Sequence, residues 1–311
     1  MTITTEQYAE ITAQREQTFI TRRTTVPGLE QHLFTPFPIL DHGFIRVIDY
    51  MGGDESIIRS ARVSYGKGTR TVSEDKGLIS YLMRHHHTTP FESPIISLHI
   101  KAPLFVMRQW HRHRTASINE ISARYSILDK EFYIPTESQL AIQSSTNRQG
   151  RGELIDPVRA ARVLEILKAD ALRCYDHYEE MLDVDDTGTA RDPAKPGLAR
   201  ELARINLTLN SYSSMVWTCN LHNALNFLRL RNDSHAQYEI RVYAEKMFEI
   251  FSEWVPMTTA AFKEHRIDAY TLSGPMLQTV RRMLKGEAVT HATSGLSKRD
   301  WAELMTKTQT A

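Results

Sequence analysis

Ile95-Ile96-Ser97-Leu98-His99-Ile100-Lys101-Ala102-Pro103-Leu104-Phe105-Val106-Met107-Arg108-Gln109-Trp110-His111 carries both periodicities from which the fold is built. From 95 to 101 the side chains alternate. Ile96, Leu98 and Ile100 fall on one side, and Ile95, Ser97, His99 and Lys101 on the other, as in a strand with one buried face. Pro103 ends that strand, because it has no N–H for a ladder. Its fixed φ suits the first turn of a helix running through Met107 to His111.

The same two patterns extend outward. Residues 44–50 (Phe-Ile-Arg-Val-Ile-Asp-Tyr) are rich in β-branched and aromatic residues and predict another strand. Asp54 is placed to cap a short helix carrying Ile57, Ile58, Ala61 and Arg62, and a second helix starts at Ser73 with Leu78, Tyr81 and Leu82. Beyond residue 155 the pattern is helical. Val163, Leu164, Leu167, Ala171, Tyr175, Tyr178 and Leu182 recur at helical spacing over 158–182. Residues 198–230 predict two helices broken near Leu209 to Tyr212. Ser234 with Gln237 has the form of a capping box opening a helix that reaches Val255, where Pro256 stops it; Arg231 then lies just before a helix N-terminus. In the tail, Ser273 caps a helix with Met276, Leu277, Val280 and Leu284 on its face and Gly286 as its stop. Ser297 and Asp300 form a second box, with Leu296 and Trp301 placed as a hydrophobic staple. The tail is thus expected to be ordered and docked. Residues 140–153 have loop composition. The sum is an α+β fold, a mixed sheet packed with helices and a helical second half. It divides into a Thr- and Gln-rich extension over 1–40, a main domain over 41–267 and a helical extension over 268–311.

Composition narrows the function. Of the 311 residues, 41% are hydrophobic and 24% charged, enough for a sizeable core without covalent staples. Lys and Arg number 38 against 37 Asp and Glu, so any anion site must come from local clustering rather than overall charge. Nucleic acid and membranes are therefore not expected partners. No apolar run approaches the length of a membrane span. Cys174 and Cys219 form no CxxC, and a reducing cytoplasm fits them best.

That clustering exists. No acid occurs between Glu92 and Glu120, yet the interval holds Lys101, Arg108, Arg112 and Arg114 with His99, His111 and His113. Consecutive residues on a helix fan out by about 100°, so Arg112, His113 and Arg114 converge on one ligand only if the backbone leaves the helix there. A phosphate would neutralise such a cluster, with each charge-assisted hydrogen bond contributing roughly 1.5–3 kcal/mol. A solvated basic face is the plain alternative, although the interleaved Trp110, Ser117, Asn119 and Ser122 are not needed for one. A nucleotide- or RNA-binding protein without catalysis is the rival class. His85, His86 and His87 lack the HExxH spacing, so no metal is expected. Gly66-Lys67-Gly68-Thr69 lacks the spacing of a P-loop and is taken as a turn, and no GxGxxG occurs.

Four blocks, in order, give a resemblance over roughly residues 41–267. Arg112-His113-Arg114, then Ser122 after seven residues, resembles the RHR-x(7)-S signature of flavin-dependent thymidylate synthases, extended by Asn119-Glu120 and Arg124-Tyr125. Ala61-Arg62-Val63-Ser64, His87-Thr88-Thr89-Pro90-Phe91-Glu92 and the stretch Asn226 to Gln237 (NFLRLRNDSHAQ) are similar to other segments of that family. The resemblance implies a homotetramer with active sites between subunits, and reductive methylation of dUMP to dTMP with FAD, NADPH and methylenetetrahydrofolate. It implies that Arg112, His113 and Arg114 hold FAD, the arginines near its phosphates. Ser64, His87, Thr89, Glu92, Asn220, Asn226 and His235 would complete the flavin site. It also implies that Gln109, Glu120, Ser122, Ala123, Arg124, Arg204 and Arg231 surround dUMP, with Arg231 at the pyrimidine and Ser122 and Arg124 on the phosphate side. Ala123 stands where some members have glycine. His87 matches a histidine where folate and nicotinamide approach the flavin, and it is grouped with Arg231 as catalytic. The family's chemistry makes neither cysteine a nucleophile.

Overall fold

The computed structural model describes residues 4–63, 72–145, 150–185 and 187–308. Ser64 and the 66–69 turn lie outside those residues. The chain divides into two compact units, Met1–Ala261 and Phe262–Ala311.

The first unit is built on a five-stranded sheet. Its strands are β1 (Phe37–Ile39), β2 (Gly43–Met51), β3 (Ile95–Pro103), β4 (Ser117–Glu120) and β7 (Tyr212–Asn220), in the order β1-β2-β3-β7-β4. The expected alternation holds on β3: Ile96, Leu98 and Ile100 are fully buried. On β2, Ile45 and Val47 share that face; on β7, Met215, Trp217 and Cys219 do. The helices Leu221–Arg231 and Tyr238–Trp254 supply Phe227, Leu228, Tyr243, Met247 and Phe251 to the same core, around Trp110. Full burial of a large apolar side chain contributes about 1.5–3 kcal/mol. The opposite face carries hydrogen-bonded polar groups. Arg46 Nε donates to His99 Nδ1 (2.9 Å), so the neutral ring turns Nε2–H toward Ser214 Oγ at 2.6 Å. Burial and the neighbouring Arg46 and Lys101 push His99 down to about 4.

The mixed sheet needs correction, and the helical second half holds, except that it also supplies the strand β7. Every pair of named strands in the five-stranded sheet is antiparallel, and among the described residues parallel pairing is confined to a bridge between Leu33 and Val47. Pro103, the last residue of β3, is the register partner of Tyr212, the first of β7, so the two strands run in opposite directions. Residues 212–220 fall in the second of the two helices expected over 198–230, and are a strand instead. They form β7 because the pairing edge of β3 is open to them, a non-local fact. Residues 140–153, expected as a loop, contain the hairpin β5 (Ala141–Gln143) and β6 (Arg151–Leu154).

Several helix ends also differ from expectation. Asp54 does not cap its own helix, Asp54–Val63. Its carboxylate accepts from the N–H groups of Met257 (2.8 Å) and Thr258 (3.1 Å) and from the Thr258 hydroxyl (2.6 Å). It thus caps the helix Pro256–Phe262, which opens on Pro256, while the preceding helix stops at Trp254, as Pro256 predicts. The Ser234–Gln237 box does not close: the helix begins at Tyr238 with no side-chain cap. Arg231 is the last residue of Leu221–Arg231, and so sits at a helix C-terminus, where unpaired carbonyls favour a cation. The long helix Pro157–Leu182 packs by its second half, with Tyr175, Tyr178 and Leu182 against Phe132 and Val184. The 1–40 extension contains a helix, Thr5–Glu16, closed by a reciprocal Thr4–Gln7 box.

In the second unit, Ser273 Oγ accepts from Met276 N–H (3.4 Å) and Ser297 Oγ from Asp300 N–H (3.1 Å), as the sequence predicts. Met276, Leu296 and Leu304 form its core, with Val280 and Trp301 packed on them; Leu284 is exposed.

Candidate functional site

The centre of the site is Arg231. The helix Leu104–Trp110 brings Gln109, and the turn after it brings His113, against the end of Leu221–Arg231. Arg231 Nε donates to His113 Nε2 (3.1 Å), and Nη2 donates to the carbonyl of Gln109 (3.4 Å). His113 is buried, edge-on to Phe227 with ring centroids 4.8 Å apart. Burial, then the adjacent Arg231 charge, pushes its imidazole down to about 4. It is therefore neutral near pH 7 and able to accept. Burial lowers Arg231 as well, without discharging so strong a base.

On either side of His113, Arg112 and Arg114 turn outward. The backbone has left the helix by His111, which resolves the fanning problem: one imidazole points in and two guanidinia point out. Neither guanidinium is ion-paired among the described residues. Two exposed, unneutralised forks fit a diphosphate.

A second group lies at the end of β4. Glu120 accepts from the Ser213 hydroxyl and stands 3.4 Å from His111 Nε2. The next turn carries Ser122, Ala123 and Arg124; Ala123 is buried, and Ser122 Oγ accepts from the Arg124 N–H (3.3 Å). Arg124 pairs with Glu201 (3.3 Å), both more than half exposed, and Arg204 Nε donates to the Glu201 carbonyl (3.4 Å). An exposed pair of this kind contributes only about 0–1 kcal/mol, less than the bonds a phosphate would offer, so Arg124 is available to an anion.

A third group surrounds Asn226. The 3-10 turn Thr89–Glu92 packs on Leu221–Arg231, leaving His87, Thr89, Glu92 and Asn226 exposed. His86 takes a left-handed φ of 61° after the helix Val72–Arg84, and His87 N–H then closes on the Leu82 carbonyl (3.0 Å). His85 and His87 both lie against Tyr81. Asn220 caps its helix through Asn223 N–H (3.0 Å), and Asn226 Oδ1 accepts from Arg229 (3.2 Å). His235 is exposed beside Asp233 (2.9 Å). Thus Gln109, His113 and Arg231 meet directly, while the Ser122–Arg124–Arg204 and His87–Thr89–Asn226 groups form separate exposed clusters.

Residues absent from the sequence-derived site also matter. Gln237 contacts Gln109 (2.5 Å), Phe227 supports His113, and His111 reaches Glu120. Gln237 and Phe227 both lie inside the stretch quoted for the resemblance, which was their available signal.

The sequence model of the family described as thymidylate synthase complementing protein matches residues 46–257. A flavin-dependent thymidylate synthase from Gluconobacter oxydans is 59% identical over 98% of this chain and 97% of its own. Another from Ruegeria pomeroyi is 57% identical over 97% and 98%. Among solved structures, a UMP/dUMP methylase, PolB, from Streptomyces cacaoi bound with 5-Br dUMP superposes with a TM-score of 0.63 at 28% identity, covering 74% of this chain and 98% of that one. With the blocks around Arg112, His87 and Arg231 in family order and the match running through all three clusters, the chain belongs to the flavin-dependent thymidylate synthases.

Proposed function

We propose that this protein converts dUMP to dTMP by reductive methylation, with FAD as its flavin, methylenetetrahydrofolate as one-carbon donor and NADPH as reductant, in the cytoplasm. The carrying observation is Arg231, a cation held by a neutral imidazole and a carbonyl at a helix end. A permanently charged, positioned guanidinium suits the uracil oxygens, where negative charge develops as the ring is activated. Ser122, Arg124 and Arg204 take the phosphate, with Glu120 and Ala123 beside them. Ser122 Oγ accepts from a backbone N–H, and among the described residues no base bonds it, so it binds rather than attacks. Cys219 is buried in the core and burial pushes its thiol up, away from the thiolate a nucleophile needs. Reduced flavin, when bound, supplies hydride. Arg112, Arg114, Ser64, Thr89, Glu92, Asn220, Asn226 and His235 would hold it, with His87 at the approach of the other co-substrates.

The Ser122–Arg124–Arg204 and His87–Thr89–Asn226 clusters are exposed and stand apart from the half-buried Gln109–His113–Arg231 centre within one chain. That separation supports a homotetramer in which neighbouring copies bring them together. Purified protein should show a flavin spectrum that changes with dUMP, and should form dTMP from dUMP, methylenetetrahydrofolate and NADPH. A colourless protein that retains a nucleotide without methylating it would overturn this reading.

A further inference from the structure

Gln109 is the end of a hydrogen-bond chain that begins on the β5–β6 hairpin. Arg151, the first residue of β6, donates to Glu239 Oε1 (2.5 Å), and the Tyr133 hydroxyl donates to the same oxygen (3.0 Å). Glu239 Oε2 accepts from Gln237 Nε2 (2.9 Å), and Gln237 Oε1 accepts from Gln109 Nε2 (2.5 Å). Glu239 is 2% exposed. Burial alone would raise its carboxyl, but the bonds from Arg151 and Gln237 outweigh it and hold the group below the usual carboxylate range.

The direction of this chain follows from chemistry. A carboxylate can only accept. Gln237 must therefore turn its NH2 to Glu239 and its carbonyl to Gln109. Gln109 must answer with one N–H of its own NH2, which turns its carbonyl oxygen to the opposite side, free to accept from a further partner. We propose that Arg151, Glu239 and Gln237 are positioning residues that lock the Gln109 amide, so that it offers bound nucleotide an acceptor and reads a hydrogen-bond donor, a sugar hydroxyl or the imide N–H. This gives the 140–153 segment a role, and it rests on the reading of Gln109 as a nucleotide contact.

Glu239→Gln inverts the chain rather than merely weakening it. Arg151 and Tyr133 both hold Oε1, so the new NH2 replaces Oε2, Gln237 flips, and Gln109 presents a donor. The test is a double-mutant cycle read by titrating flavin-loaded protein with dUMP. Gln109→Met and Glu239→Gln should each weaken dUMP about tenfold, and the double variant should be no weaker than either single. Additive losses of about a hundredfold, or wild-type affinity in Glu239→Gln, would overturn the proposal. If Glu239→Gln fails to fold, Arg151→Met in both Gln109 backgrounds runs the same cycle, with about threefold expected in the native background and none in the other.

The Gln109→Met penalty should vanish with 3′-deoxy dUMP if the donor is the sugar hydroxyl, and with N3-methyl dUMP if it is the imide. A penalty undiminished with both analogues refutes the acceptor assignment. Unchanged dUMP affinity in Gln109→Met, in a chain whose wild type makes dTMP, removes the target of the relay. Failure of the wild type to make dTMP sinks instead the functional reading beneath it.

Discussion

Replacing His113 with phenylalanine tests the centre of the site with little change of shape. The ring stays edge-on to Phe227, while the acceptor for Arg231 Nε disappears. The remaining bond, from Nη2 to the Gln109 carbonyl at 3.4 Å, is long and constrains the guanidinium weakly. A hydrogen bond to a charged group contributes roughly 1.5–3 kcal/mol. Arg231 is half-buried rather than sealed, so solvent recovers part of that, leaving about 1.5 kcal/mol, or some tenfold in kcat/KM for dUMP. Flavin content should hold at the wild-type level, because the imidazole faces Arg231 and Phe227. His113→Gln, whose amide oxygen can accept, should recover part of the loss. Steady-state kinetics in dUMP, with flavin content measured by absorbance, is the assay. Native kcat/KM in His113→Phe, or a defect confined to flavin retention, would refute the argument that this histidine acts through Arg231.

Arg112→Ala with Arg114→Ala should give folded but colourless protein, since both guanidinia are exposed and pair with no carboxylate among the described residues; full flavin retention counts against the diphosphate assignment. Cys174→Ala with Cys219→Ala should keep most dTMP formation, with only a modest packing loss from the buried Cys219; abolished turnover with normal flavin and dUMP binding would make a cysteine the nucleophile. Asp54→Ala should cost about 2 kcal/mol in a urea melt, because it leaves the Pro256–Phe262 amides uncapped. On acidification, His99 and His113 should lower stability. Each sits near 4 in the folded chain against an ordinary value of 6.5, so the unfolded chain takes up protons first. Stability is whole above about pH 6.5 and falls as pH drops toward 4, by at most about 3 kcal/mol per histidine before screening. His99→Gln should flatten part of that slope, and an unchanged slope would show that His99 is not buried neutral.

The sequence by itself determined the local elements and the chemistry at hand. The alternation of Ile96, Leu98 and Ile100 fixed β3 and its buried face, because side-chain direction along a strand depends only on period two. Ser273 and Ser297 fixed helix starts, because a cap bonds within three residues. The acid-free run around Arg112 placed several basic residues within a short stretch, while the backbone turn after Trp110 decided that His113 points in and Arg112 and Arg114 point out. Tertiary structure decided partners. Residues 212–220 became a strand only because β3 offered an edge to pair with. Asp54 caps a helix through an amide 203 residues away, and His113 meets Arg231 across 118. Arg151 reaches Gln109 through two side chains of another element. Periodicity and capping are short-range and survive in the one-dimensional pattern. Which donor finds which acceptor across the core depends on register and packing, and those exist only once the sheet and its helices have come together.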